Sequence, residues 1–380
     1  MSIKLGDVLK VHHGFAFSGD GMTDDLSGRP IVVSIGNFNY TGGFRFESTR
    51  VREFRGEYPK EFNLAPGDLV VVMTCQTSGG EILGIPGIIP NDGMIYLHNQ
   101  RIGRVEVVAD RLHKRFAYYL FLTAEVNRQL FSTASGTKIL HTSPGRIEGV
   151  ECRIPPLQEQ AKIATVLGAL DDKIAVNERI AATALELCSA KFRLLHGSAD
   201  GEVTVGDLAE LKYGKSLPAA RRIAGKIPVF GSGGISGSHD ESLVKGPGII
   251  VGRKGTVGSV YWSEVDFFPI DTTFYVECKS GRASLEYLYF ALKSLGLEHM
   301  NSDSAVPGLN RDRAQSQLLR IPGADAMRNF TTEVRDIFRL QRTREEENRT
   351  LAALRDTLLP QLMSGRLRVK DAEKIVEDAT

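Results

Sequence analysis

Ile154-Pro155-Pro156-Leu157-Gln158-Glu159-Gln160 opens the stretch that decides the architecture. No further proline follows until Pro218, and apolar residues recur at helical spacing through Ile163, Val166, Leu167, Leu170 and Ile174. One column keeps a step of seven, through Leu167, Ile174, Ala181, Cys188 and Leu195, which marks a coiled-coil seam rather than an ordinary surface helix. Gly197 supplies a stop. Such a helix would run ~60 Å at ~1.5 Å per residue, too long for a small core to cover. It needs a partner helix.

The chain supplies one. Ile321-Pro322 repeats Ile154-Pro155, and a second helical run follows with its own column, Phe330, Ile337, Arg344, Leu351 and Leu358. That run ends at Ser364-Gly365, as the first ends at His196-Gly197. Matching start, length and stop predict two long helices lying side by side.

Between and before the helices the chain repeats itself. Leu5-Gly6-Asp7 reaches Gly14 at the spacing by which Val205-Gly206-Asp207 reaches Gly214, a shift of 200. Pro66-Gly67-Asp68 feeds Leu69-Val70-Val71-Val72-Met73, and Pro247-Gly248 feeds Ile249-Ile250-Val251, at a shift of 181. Pro-Gly ahead of β-branched residues reads as a turn into a buried strand. A further strand follows in each copy (Ile102 to Val108; Thr272 to Cys278), then an aromatic-rich helix (Arg115 to Leu120; Leu285 to Phe290). Small-residue loops come next, Ser135-Gly136-Thr137-Lys138 and Ala305-Val306-Pro307-Gly308-Leu309-Asn310, before each Ile-Pro. The result is an α/β (α+β) chain with a pseudo-two-fold internal repeat. Its segments are a globular domain at 1–153, a long helix at 154–197, a second globular domain at 198–321, and a long helix with its tail at 322–380. Two matching heads on rigid struts suit a ligand with two related half-sites, of which duplex DNA is the commonest.

Composition sets limits on partners and compartment. A formal charge of +1, from 47 Lys and Arg against 46 Asp and Glu, means that any nucleic-acid surface must be local. Cys75, Cys152, Cys188 and Cys278 form no CxxC pair, which fits a reducing cytoplasm and argues against a zinc site or a disulfide framework. The polar start Met1-Ser2-Ile3-Lys4 is unlike a signal peptide, and no apolar run has membrane-spanning length. A cytoplasmic protein with no membrane partner is expected.

The layout resembles the specificity subunit of type I restriction–modification systems. The resemblance rests on the repeat order and on Ile154-Pro155-Pro156-Leu157-Gln158-Glu159-Gln160. It rests also on Leu358-Leu359-Pro360-Gln361-Leu362-Met363-Ser364-Gly365, and on Gly252-Arg253-Lys254-Gly255-Thr256-Val257-Gly258 with Pro269-Ile270-Asp271-Thr272-Thr273. It implies two target-recognition domains alternating with helices that form an antiparallel coiled coil. It implies a subunit that does no chemistry and carries no cofactor, binds a bipartite double-stranded DNA site, and recruits two methyltransferase subunits. Restriction/translocase subunits complete such a complex. The long helices would carry the partner-binding residues, here Leu157, Gln160, Ile163, Leu167, Leu358 and Leu362. The second helix lacks the Pro-Leu-Gln-Glu-Gln continuation, reading Ile321-Pro322-Gly323-Ala324-Asp325.

Candidate DNA contacts follow from residue chemistry. Arg253, Lys254 and Thr256 sit in a glycine-rich loop after a strand, where backbone can approach phosphate and the cations can neutralise it or reach guanine. The matching loop in the first copy offers Gln76, Thr77 and Ser78, and Gln can pair with adenine. Thr137-Lys138 and Asn310-Arg311 occupy the loops before each last strand, and Arg221-Arg222 forms a basic pair. The aromatics of Gly14-Phe15-Ala16-Phe17 read as core, and His12-His13 as a strand-end pair with no third metal ligand at suitable spacing. Two other functions fit less of the chain. One is a stand-alone DNA-binding regulator. The other is a Mg²⁺-dependent nuclease built on Asp271, Glu277 and Lys279. Phosphate-loop and GxGxxG spacings both fail around Gly252 and Gly231.

Overall fold

The computed structural model describes residues 2–44, 51–279, 281–300 and 308–379; part of the expected 305–310 loop, residues 305–307, lies outside them. Both long helices are present, Leu157–Gly197 and Ala324–Met363. Every residue of the two seven-step columns is buried or half-buried. Even Arg344 is tucked in, its guanidinium held by Glu347 at 2.7 Å. Contacts divide the chain into two compact units: Met1–Ile174 with Arg349–Thr380, and Ala175–Asn348. Each unit holds one globular domain and part of each long helix.

In the first unit β1 (Ser2–Lys4) enters and β2 (Leu9–His13) begins the main sheet. It is joined by β3 (Leu69–Val72), β4 (Pro86–Ile88) and β5 (Ile102–Val107), in the antiparallel order β2-β5-β3-β4. β6 (Glu151–Arg153) leaves the domain paired with β1, Ser2 facing Arg153. Leu69, Val70, Val71 and Val72 are all buried, as a central strand covered on both faces requires. The helix Lys114–Phe121 lays Phe116, Tyr119 and Leu120 into the same core, and each such buried side chain contributes ~1.5–3 kcal/mol. Ile163, Val166, Leu167 and Leu170 meet that core beside Leu351, Leu358, Leu359 and Leu362. Asp171 crosses to Arg355 at 2.8 Å and accepts the Tyr119 hydroxyl at 2.6 Å. After Gly365 the tail is itself a helix, Val369–Glu377, which buries Ala372 and Val376 in this core.

The second unit repeats the plan. β7 (Gly201–Thr204) pairs with β12 (Leu318–Ile321), and β8 (Ala209–Tyr213), β11 (Thr273–Cys278), β9 (Gly248–Gly252) and β10 (Val260–Ser263) form the sheet β8-β11-β9-β10. Its helix Leu285–Ser294 packs Tyr287, Phe290 and Leu288 with Phe192, Phe330 and Phe338 from the long helices. Asn177 donates to Glu347 and Asn348 (2.9 and 2.8 Å), whereas Lys191 meets Glu333 at 2.5 Å. Later residues of one helix therefore meet earlier residues of the other, so the helices pack antiparallel here.

The repeat extends to individual hydrogen bonds. The Lys4 and Thr204 amides donate to Asp7 and Asp207 at 3.0 and 2.9 Å. The Val11 amide donates to Glu148 and the Leu211 amide to Gln315, both at 2.9 Å. Gly14 and Gly214 make the same close approach: a Cβ on either would lie 2.2 Å from a carbonyl oxygen, of Asn99 and Ile270 respectively. Only glycine fits there. The ladders set one correction. Val72 faces Ile102 and Gly252 faces Thr273, so, with Ile102 and Thr273 matched at a shift of 171, β3 and β9 correspond at a shift of 180, not 181. Among the described residues the copies diverge in their second sheets, five strands of two residues in the first unit and three strands of five, six and two residues in the second.

Candidate nucleic-acid interface

At the end of β9 the chain turns sharply. The Arg253 and Lys254 amides both donate to the Thr272 carbonyl (2.9 and 3.1 Å), and the Leu309 amide donates to the Arg253 carbonyl at 2.9 Å. Lys254 also bridges Gly308. Backbone pairing thus brings the 253–254 and 309–311 stretches, distant in sequence, to one cleft of about 350 Å³. Four expected residues line it: Arg253, Lys254, Asn310 and Arg311. Sequence reading missed two more, Tyr213 and Asp312. The guanidinium carbons of Arg253 and Arg311 lie 5.1 and 5.5 Å from the centroid of the Tyr213 ring, within cation–π reach. Phe274 holds that ring in place at 5.0 Å. Arg253 Nε is closed to solvent and has no acceptor.

The other expected residues of this unit lie elsewhere. Thr256 is exposed in the turn beyond, where its carbonyl accepts the Ser259 hydroxyl at 2.9 Å. Arg222 ties its own loop together by donating to the Ser236 carbonyl at 2.6 Å, and Arg221 is exposed at the end of a short turn. Asn310 is a helix cap: its Oδ1 accepts the Arg313 amide at 2.9 Å. The +167 match of the last strands pairs it with Ser143, the cap of the corresponding short helix, and not with Thr137-Lys138, the counterpart that loop order alone suggests.

In the first unit the same frame carries different side chains. Thr74–Cys75 pairs with Leu140–His141, which lays the exposed turn bearing Thr137 and Lys138 beside the exposed Gln76, Thr77 and Ser78. The Thr77 hydroxyl bonds Glu81 and draws that carboxyl below its usual range. Gln76 faces a cleft of about 540 Å³ that also holds Arg52, Asn99, Gln100 and Arg101. Sequence reading missed those neighbours. Gln100 Oε1 is closed off without a donor.

The expected partner-binding residues need correction. Gln160, Ile163, Leu167, Leu358 and Leu362 are buried in the first unit, and only Leu157 is exposed. Gln160 accepts the His113 amide at 2.9 Å and donates to the carbonyls of Arg111 and Pro155 at 2.8 and 2.9 Å. Its motif anchors the domain on the helix. What the helix leaves exposed in the second unit is another column, Ile180, Leu187 and Leu194, again seven apart.

Asp271, Glu277 and Lys279 do not converge. Glu277 pairs with Lys212, and Lys279 donates to the Gly206 carbonyl at 3.0 Å. Among the described residues no three His, Cys, Asp or Glu side chains are grouped to hold a metal ion. None of the described helices is long and apolar enough to cross a membrane.

The family pattern for the type I restriction modification DNA specificity domain matches residues 1–186 and 201–326. The chain belongs to that family. Among relatives of this specificity family, the MjaIX specificity subunit of Methanocaldococcus jannaschii is 22% identical over 334 residues, 76% of this chain and 73% of that subunit. The MjaVIII specificity subunit of the same organism is 24% identical over 157 residues, and the match spans 41% of this chain and 35% of that subunit's length. The crystal structure of the type I restriction–modification S subunit from M. genitalium shares the fold, with a TM-score of 0.58, 18% identity and 95% of each chain covered.

Proposed function

We propose that the chain reads a bipartite double-stranded DNA target, one half with each globular domain, and presents its long helices to two methyltransferase subunits and, through the complex, to restriction subunits. It contributes binding rather than chemistry. The domain limits are those read from the sequence. One observation carries the reading: a scaffold repeated down to single hydrogen bonds bears, in each unit, a cleft with its own polar chemistry. A reader of two unlike half-sites needs that combination. In such a reader phosphate contacts supply most of the affinity, and side chains at base edges supply the choice. The exposed column Ile180, Leu187 and Leu194 supports docking of a partner helix, because an apolar seam on a helix that already has one partner invites another.

The test is co-expression with the cognate methyltransferase subunit, followed by base-resolution mapping of modified adenines. A motif with two fixed halves and an unread gap is the expected result. A contiguous motif would refute the two-headed reading, and no modification with an active, soluble partner would refute the function.

A further inference from the structure

We propose that the cleft formed by Tyr213, Arg253, Lys254 and Arg311 seats one phosphodiester of the DNA backbone and thereby fixes the phase in which the second domain meets its half-site. The proposal deepens the DNA-reading function above and rests on it.

Three cations converge here, against the single carboxylate of Asp312. Asp312 touches Arg311 at only 3.4 Å, in an exposed pair. No carboxylate among the described residues pairs with Arg253 or Lys254. Two guanidiniums drawn to one aromatic ring repel each other, and an anion between them relieves that repulsion. A neutral base edge would not. The Arg253 fork is also fixed before any ligand arrives: its backbone is pinned on both sides, by Thr272 and Leu309, and its Nε is buried. Such preorganisation suits a contact that sets position.

The first domain shows that the fold does not demand these residues. By the sheet register Tyr213 corresponds to His13, Arg253 to Met73 and Lys254 to Thr74, and by the last-strand match Arg311 corresponds to Pro144. The same backbone bonds are made there: the Met73 amide donates to Arg101, and the Thr142 amide to Met73. Scaffold need is thus met by a thioether and a proline. The aromatic-cation cleft is an addition peculiar to the second domain, and the two half-sites are gripped differently.

The experiment measures binding of the full chain with its methyltransferase subunits, across a salt series, to a duplex bearing the mapped target and to one of unrelated sequence. For Arg311→Gln the expected slope of log affinity against log salt is shallower by about 0.9, the value for one phosphate. The wild-type advantage should then shrink ~3.5-fold between about 50 and about 200 mM salt, alike on both duplexes. Tyr213→Ala should reproduce part of that loss. Tyr213→Phe and Arg311→Lys, which keep ring and charge, should stay near wild type and exclude misfolding as the cause. A neutral methylphosphonate walked through the second half-site should weaken wild type at one linkage and weaken Arg311→Gln less there. An unchanged slope, or a loss confined to the target duplex, overturns the proposal, the latter in favour of base reading. Wild type that binds neither duplex refutes the underlying function instead.

Discussion

Replacing Gln160 by Met tests whether the first domain hangs on its helix by one side chain. Met327 stands at the corresponding place in the second copy, so the substitution inserts what the other repeat uses, with little change of volume. Gln160 is fully buried and makes three hydrogen bonds, to the His113 amide and to the Arg111 and Pro155 carbonyls. His113 caps the helix Lys114–Phe121, so the loss reaches the domain core. Each neutral bond is worth ~1 kcal/mol net, and a donor left buried without a partner costs more, which sets the loss at about 3 kcal/mol. In native-state hydrogen exchange, amides of the helix Lys114–Phe121 should then open roughly a hundredfold more readily, since ~1.4 kcal/mol is tenfold. Amides of Leu285–Ser294, in the other unit, serve as the internal control and should not change. A change under about fourfold in the first helix, or an equal change in both, would refute the anchoring argument.

Three further outcomes follow from the packing. Arg355→Ala leaves Asp171 beside Tyr119 without its buried cation, and should cost ~3 kcal/mol in urea unfolding, whereas Asp171→Asn combined with Arg355→Met should cost clearly less. Gly214→Ala forces a Cβ to 2.2 Å from the Ile270 carbonyl and should lower the second unit's stability by several kcal/mol, read as early loss of exchange protection in β8 and β11. His98 is buried and bonds the Ile102 carbonyl at 2.8 Å; burial holds its pKa down at about 4. The unfolded chain then takes up the proton first. First-unit stability should be full above about pH 6.5 and fall as pH drops towards about 4, by up to ~3 kcal/mol, and His98→Gln should flatten that slope in acid unfolding.

Long-range order in this chain was legible wherever a period or a repeat carried it. The seven-step columns announced both helices because a seam must recur to stay buried, and Pro-Gly before Leu69 and before Ile249 announced the central strands. The clefts were only half legible. Arg253 and Lys254 stood out as cations in a glycine-rich turn, but their meeting with Tyr213 depends on a register that pairs Tyr213 with Phe274 and sets Leu309 against Arg253. No local pattern encodes that. Asn310 was misaligned although its cap signature, an Asn opening a helical turn, was present in the sequence. Gln160, expected among the partner-binding residues, proves fully buried, because two of its three partners, Arg111 and His113, lie in a turn almost fifty residues earlier. The second sheet of the first unit escaped entirely: strands of two residues have no period to detect.

Each domain begins and ends on neighbouring strands, Ser2 facing Arg153 in one and Gly201 facing Ile321 in the other. Entry and exit are therefore one strand spacing apart, ~5 Å. In the second domain, everything between them is, topologically, a closed loop inserted at a single point of the helical framework. A loop of that kind can be exchanged for another of different length and surface without re-threading the framework, provided the two flanking strands, their caps and the side chains that pack on the long helices are kept. Recombination at those strands would exchange one head for another, with the cleft replaced wholesale and the helical backbone untouched. The geometry that the two copies share is at the neck, and the freedom to vary lies in the head.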